Sequence, residues 1–259
     1  MTELLVTGAS GLIGSRLAEL ARRAGYAVTT PARAELGGPL AGAQGSVSCV
    51  LHLAGGWAGA NYGELAAADL SIAANLTCWA RRAGVRRWVV ASAAEVYGRV
   101  EGLGGEDAPL RPVIPYGAVK REVERRFIEL ARDLLGATVV LLRIGQVYGS
   151  RARLTRELAA RLRGGWCPWP GRGLDPVSFV HVDYVAQAFL RAAAATAPGV
   201  HIYNVADAKP SCWRDFLRML ARGLGARPPV HIPVPLARLY AACSADPALT
   251  QAVDRKSVV

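Results

Sequence analysis

Apolar positions along this chain recur in two different patterns, and the switches between them mark its elements. The continuous run Leu4-Leu5-Val6 reads as a buried strand, after which Leu12, Ile13, Leu17, Leu20 and Ala21 recur at helical spacing until Gly25. A second strand is expected at Tyr26-Ala27-Val28-Thr29-Thr30 and another over 47–53. A long helix over 64–82 ends at Gly84 and is followed by a strand over 87–92. Another helix runs from about Tyr116 to Leu134, followed by a strand over 138–143. This alternation predicts an α/β fold, with a doubly wound parallel sheet covered by helices on both faces. Residues 34–47 are rich in Gly, Ala and Pro and carry little pattern, so a third strand of the first half is expected to be missing or reduced.

From about residue 144 the alternation breaks down. Trp166-Cys167-Pro168-Trp169-Pro170-Gly171 reads as a loop whose large side chains line a pocket, meet another subunit or cap the core. A short strand and helix are expected over 179–195, a strand over 200–205 and a helix over 213–224. The prolines at 233 and 235 break the chain before a last helix. The expected division is a main domain over 1–150, with 177–205 contributing elements back to it. A smaller lobe then covers most of 151–259.

Composition narrows the field. The chain has 259 residues, 52% hydrophobic and 20% charged, enough for a substantial core. Its formal net charge is +11, but the arginines are spread along predicted helix faces and no nucleic-acid motif accompanies them, so no nucleic-acid partner is expected. The five cysteines are far apart with no CxxC pair, and the four histidines form no close pair. Neither a metal site nor a disulfide framework is expected, and a reducing cytoplasm fits. The first strand begins too early for a leader peptide, and no apolar run is long enough for a membrane span.

The informative stretch is Gly8-Ala9-Ser10-Gly11-Leu12-Ile13-Gly14, on the turn from the first strand to the first helix. Such a turn offers free backbone N–H groups and the positive end of a helix dipole to a dinucleotide pyrophosphate. Gly8 permits the tight turn, Gly11 lets phosphates approach, and Gly14 lets the helix lie close to the sheet. The spacing is G-x-x-G-x-x-G, not the commoner G-x-G-x-x-G. No Asp or Glu stands at the end of the second strand to hold ribose hydroxyls. Arg33 stands there instead, where a guanidinium grips a 2′-phosphate, which favours NADP over NAD as cofactor. At the end of the 47–53 strand, Ala54-Gly55-Gly56 offers a small-residue turn for adenine or ribose to pack on. His52 lies within that apolar run and reads as a satisfied core histidine.

Tyr116 and Lys120, at i and i+4, share one helix face. A phenol has a reference pKa of about 10, and a neighbouring ammonium lowers it towards neutrality. The pair therefore suits acid–base catalysis beside a nicotinamide.

These pieces together resemble the extended short-chain dehydrogenase/reductases of the NAD-dependent epimerase/dehydratase family. The matching stretches are the glycine turn, His52-Leu53-Ala54-Gly55, Gly84 through Ser92, Glu95-Val96-Tyr97-Gly98 and Tyr116 to Lys120. Further on they are Leu142-Arg143-Ile144-Gly145-Gln146-Val147-Tyr148-Gly149, Phe179-Val180-His181-Val182-Asp183 and Tyr203-Asn204-Val205. The resemblance implies a Rossmann-type domain that holds NAD(P) with the glycine turn, the 53–55 segment, Tyr116, Lys120 and Ile144. It also implies a C-terminal lobe that binds a small-molecule substrate, often a nucleotide-diphosphate sugar, and a homodimer. Tyr116 is then the acid/base, supported by Lys120. The resemblance further implies a chain some tens of residues longer, so the C-terminal lobe is expected to be either naturally short or truncated.

Three positions depart from the pattern. Ala93 stands where a Ser or Thr hydroxyl is expected, and Ser92 substitutes for it only if the strand end is kinked. Glu95 occupies the place of a glutamate base in dehydratases, but Ala93 and Ala94 precede it instead of hydroxyl or acidic residues. Asp69 replaces an expected asparagine. The first expectation is an epimerase, dehydratase or reductase of a nucleotide sugar. An NADPH-dependent reductase of a non-nucleotide ketone or alcohol, and a catalytically weak cofactor-binding protein, are the alternatives.

Overall fold

The computed structural model describes residues 2–36, 47–56, 61–99, 104–209, 211–237 and 239. In chain order its elements begin β1 (Glu3–Thr7), α1 (Leu12–Arg23), β2 (Ala27–Thr29), α2 (Arg33–Leu36), β3 (Val47–His52) and α3 (Tyr62–Ala83). Next come β4 (Arg87–Ala93), a 3-10 turn (Ala94–Val96), α4 (Pro115–Asp133), β5 (Thr138–Ile144), β6 (Gln146–Tyr148), α5 (Arg153–Arg163) and β7 (Pro168–Pro170). The rest are β8 (Pro176–Val177), β9 (Phe179–His181), α6 (Val182–Ala193), β10 (Gly199–Val205), β11 (Ser211–Cys212), α7 (Trp213–Gly223) and β12 (Val230–Ile232).

Two compact units emerge, one of Met1–Gly145 with Val180–Val205, the other of Gln146–Phe179 with Ala206–Val259. The first unit is built on a six-stranded parallel sheet in the order β10-β5-β4-β3-β1-β2. Its strands read as apolar runs because both faces are covered. On one face Leu5, Val50, Trp88, Val90 and Leu141 pack under α3 and α4, with Phe127 and Leu76. On the other, α6 lies against the central strands and beside α1. Arg16 of α1 binds Asp183 of α6 through both nitrogens, Nε at 2.7 Å and Nη2 at 3.1 Å.

Local signals explain where the long helices begin and end. Asn61 and Glu64 form a reciprocal capping box at the start of α3. Gly84 closes α3 in the left-handed conformation, as its position after the apolar period suggests. Pro115 occupies the first turn of α4, where its missing N–H costs nothing. Among the described residues β2 is the edge strand next to β1, and the weakly patterned segment 37–46 lies outside them.

The second unit has its own core of Leu158, Trp169, Phe179, Trp213, Phe216 and Leu217. Phe179 stacks on Phe216 with ring centroids 4.3 Å apart. The 166–171 loop therefore splits in role: Trp169 is buried in this core, whereas Trp166 is exposed. A helical turn starts at Val234, and the remainder of the expected last helix, with Cys243, lies outside the described residues. Among the described residues no helix is long and apolar enough to cross a membrane.

Candidate functional site

The carboxyl ends of β1 and β3 carry the first half of the site. Gly8 has φ +73°, and a Cβ there would meet Ala54 N at 2.7 Å, so the turn demands glycine. At Gly14 a Cβ would stand 2.1 Å from Gly8 O. The missing side chain lets α1 start directly over the turn. Helix α1 begins on Gly11 with no side-chain cap and no acidic residue in its first turn. The N–H groups of Leu12 and Ile13, at the end of α1, have no intrahelical partner and point off the helix beside exposed Ser10. An uncapped helix end behind a backbone cradle is the donor set that a pyrophosphate needs, so the residues present fit a dinucleotide.

Thr7 fastens this turn to the neighbouring strand. Its Oγ1 accepts from the N–H groups of Leu53 at 3.1 Å and Ala54 at 3.2 Å. With both lone pairs engaged, the hydroxyl donates to His52 Nδ1 at 2.8 Å. That bond fixes His52 as a neutral imidazole with its proton on Nε2. Burial, then the charge of Lys120, pushes its pKa down to about 3. His52 packs on Phe127 as a satisfied core residue.

The second half comes from α3, α4 and the 3-10 turn after β4. Lys120 Nζ donates to Asp69 Oδ2 at 2.9 Å, and both side chains are buried. Asp69 also accepts from the N–H of Gly56 at 2.5 Å. Gly55 has space for no side chain, because a Cβ would lie 2.8 Å from both Asp69 Oδ2 and Lys120 Nζ. The segment 53–56 thus touches the glycine turn at one end and the Lys120–Asp69 pair at the other. Lys120 Nζ lies 5.5 Å from the centre of the Tyr116 ring. Gly117, whose Cβ would meet Glu95 O at 2.3 Å, lets α4 start against the 3-10 turn. Half-buried Glu95 is thereby close enough for its charge to act on both Tyr116 and Lys120.

Electrostatics overturn one expectation. The Tyr116 phenol is pushed up from its ordinary value, not down. Burial is the largest cause; Lys120 opposes it, and the carboxylates of Glu95 and Asp69 add to it. Lys120 is itself held above its usual range, because Tyr116, Asp69 and Glu95 outweigh its burial. The ammonium stays charged, but a carboxylate sits directly on it.

A second expectation fails for a geometric reason. Strand β4 pairs with β5 in unbroken register through Ser92↔Arg143 and Ala93↔Ile144, so its end is not kinked. The Ser92 hydroxyl donates to Glu124 Oε1 of α4 at 2.5 Å. It cannot stand in for the hydroxyl missing at buried Ala93. Glu124 also takes Arg143 Nε at 3.0 Å and Nη2 at 2.9 Å. Arg143 Nη1 donates to Tyr97 OH at 2.9 Å and to Glu106 O at 2.8 Å, and Tyr97 OH donates to Asn204 Oδ1 at 2.7 Å. Sequence reasoning missed this buried network; its only hint was an arginine inside an apolar strand.

The other nominated residues are placed simply. Arg33 is exposed at the start of α2, just past β2. Leu53 is half-buried, and Ala54 and Ile144 are buried at the ends of their strands.

Comparison with known proteins agrees with this geometry. The chain is 35% identical over 173 residues to a 3-diazoavenalumate denitrifying reductase from a Streptomyces species, covering 63% of this chain and 55% of the reductase. It is 32% identical over 165 residues to a UDP-glucose 4-epimerase from Mycolicibacterium smegmatis, covering 60% of this chain and 52% of the epimerase. It thus spans about half the length of these curated relatives. Among solved structures it is similar to MoeE5 in complex with UDP-glucose and NAD, with TM-score 0.77 and 28% identity over 89% of this chain and 85% of that one. The model of the NAD dependent epimerase/dehydratase family matches residues 4–206. By that match over most of its length, this chain belongs to the NAD-dependent epimerase/dehydratase family.

Proposed function

We propose that this chain is an NAD(P)-dependent epimerase, dehydratase or reductase of a nucleotide-diphosphate sugar, with Tyr116 as acid/base. One observation carries the reading: the 53–56 segment joins the glycine turn to the Lys120–Asp69 pair, so a cradle and a proton-transfer group share one support. A bound dinucleotide supplies a nicotinamide that accepts or returns a hydride. Gly8, Gly11, Leu12, Ile13 and Gly14 hold its pyrophosphate, Ser10 borders it, and Leu53, Ala54 and Gly55 support its adenosine half. Tyr116, Lys120 and Ile144 border the nicotinamide half. Tyr116 holds or takes the proton at the reacting oxygen, and Glu95 is the second proton-transfer group. The smaller unit is the proposed substrate lobe. Arg33 favours NADP; a UDP-sugar is suggested by the complex of MoeE5 with UDP-glucose.

Calorimetric titration with NADP, NAD and UDP tests this. The expected result is saturable binding of NADP and of UDP; no UDP binding at millimolar concentration overturns the sugar-nucleotide part. Arg33→Ala is expected to weaken NADP about 10- to 100-fold, the worth of a charge-assisted contact, and to leave NAD unchanged. A second reading rests on the relative named a reductase. It is an NADPH-dependent reductase of a non-nucleotide carbonyl compound, and it predicts NADPH oxidation insensitive to added UDP.

A further inference from the structure

Lys120 is ion-paired with a carboxylate as well as lying beside Tyr116. Its ammonium is 2.9 Å from Asp69 Oδ2 and 5.5 Å from the centre of the phenol ring. The carboxylate is held rigidly: Gly56 N–H donates to its other oxygen, and helix α3 and the side-chain-free Gly55 close round it. Both charges are buried, so the interaction is strong and little screened. An amide at this position would orient the lysine without cancelling its charge; a carboxylate does both.

We propose that Asp69 is a positioning residue that draws Lys120 towards the 53–56 segment and offsets its charge, so that this site offers a proton before it accepts one. Of the charged groups that act on Tyr116, the two carboxylates agree in sign with this and the partly offset ammonium opposes them. From α3 comes Asp69, from the 3-10 turn Glu95, and from α4 Lys120, while His52 of β3 is neutral. One cation and two carboxylates thus act on the half-buried phenol, and the cation is already paired with one of them. The phenol then remains protonated through neutral pH, which suits protonation of a carbonyl oxygen as it receives hydride. Deprotonating an alcohol would first require the phenol to lose its own proton. Here reduction is the half of the proposed chemistry that the resting phenol is already protonated to serve. The direction rests on the acid/base role proposed for Tyr116; the state of the phenol does not.

The test therefore needs neither cofactor nor substrate. Tyrosinate absorbance near 295 nm is followed through an alkaline titration of the unaltered protein and of Tyr116→Phe, and the difference isolates Tyr116. A midpoint above the ordinary value of about 10 is expected, and one below it overturns the proposal. The same difference is then taken between Asp69→Asn and the double variant Asp69→Asn/Tyr116→Phe. Removing one buried negative charge is expected to lower the midpoint by about one pH unit or more. A smaller fall, or none, overturns the proposal, because a merely structural role would lower thermal stability and leave the midpoint in place. Asp69→Glu is expected to restore the high midpoint. If Asp69→Asn does not yield folded protein, the unaltered midpoint decides alone. A failed NADP titration would sink the functional reading and leave this result standing.

Discussion

Single side chains here take their character from neighbours distant in sequence. His52 shows it most simply. Its pKa in the folded chain, about 3, lies far below the value of about 6.5 expected when unfolded. Between those values the unfolded chain binds the extra proton. The stability that neutral His52 supports is complete above about pH 6.5 and drains away as pH falls towards 3. From about pH 7 to about pH 5 the loss amounts to about 2 kcal/mol. His52→Asn keeps an acceptor for Thr7 but does not titrate, so urea unfolding at the two pH values should show a smaller loss for the variant. Ala93 gives a second prediction. Ala93→Ser is expected to raise turnover about 10-fold or more by restoring a donor beside the reacting oxygen, read as NADPH oxidation. Lower turnover would mean that the site uses the methyl. Gly8, Gly14, Tyr116 and Lys120 were legible as a pattern because each rule involved is local: a turn, a close approach, a shared helix face. The acidity of Tyr116 was not. It depends first on burial and then on Lys120, Glu95 and Asp69, the last of which the sequence marked only as an odd residue in a helix and the fold brings to Lys120 across 51 positions.

At the scale of elements, polar ties between packed elements hold the site in place as much as apolar packing does. Helix α4 lies on the sheet through Val119, Val123, Phe127 and Leu130, a clear helical stripe. Glu124 breaks that stripe in order to meet Ser92 and Arg143. Glu124→Ala would leave the Arg143 guanidinium buried without its carboxylate, at an expected cost of about 3–5 kcal/mol in chemical denaturation. Ser92→Ala removes a single donor and is expected to cost only about 1 kcal/mol. On the opposite side of the turn, Gly14→Ala forces a methyl into Gly8 O, so α1 must lift from β1. NADP affinity should fall with it, at least 10-fold in the same calorimetric titration. The boundaries of α1, α3 and α4 were readable because apolar period, caps and proline agreed. Interleaved strands of the smaller unit were not. β7, β8, β11 and β12 have two or three residues each, too few to establish a period.

For the whole molecule, the sheet order places the ends of β1, β3 and β4 side by side, where glycine turn, His52 and Glu95 gather. This much follows from the right-handed crossovers that any βαβ chain makes. The net charge of +11 comes from arginines spread along the chain rather than packed in one block. It is expected to assist any anionic ligand, so affinity for UDP and NADP should weaken steadily as salt is raised. Salt-insensitive binding would mean that the surface arginines contribute nothing. Family membership was legible in the sequence because its motifs are spread from the first strand to Asn204. The substrate was not, since substrate choice depends on the assembled surroundings of the site, which no single motif encodes.

The bare backbone at Gly55 turns the buried ion pair into an adjustable gap. A methyl added there presses on ammonium and carboxylate alike from one side, while leaving both charges in the protein. Gly55→Ala and Asp69→Asn therefore ask separate questions of the same phenol, one about distance and the other about charge. If the two variants shift its titration alike, contact between the partners matters; if only the second does, the carboxylate acts through its field alone. Residue 55 is thus a place from which the ion pair can be shifted without replacing either charged partner.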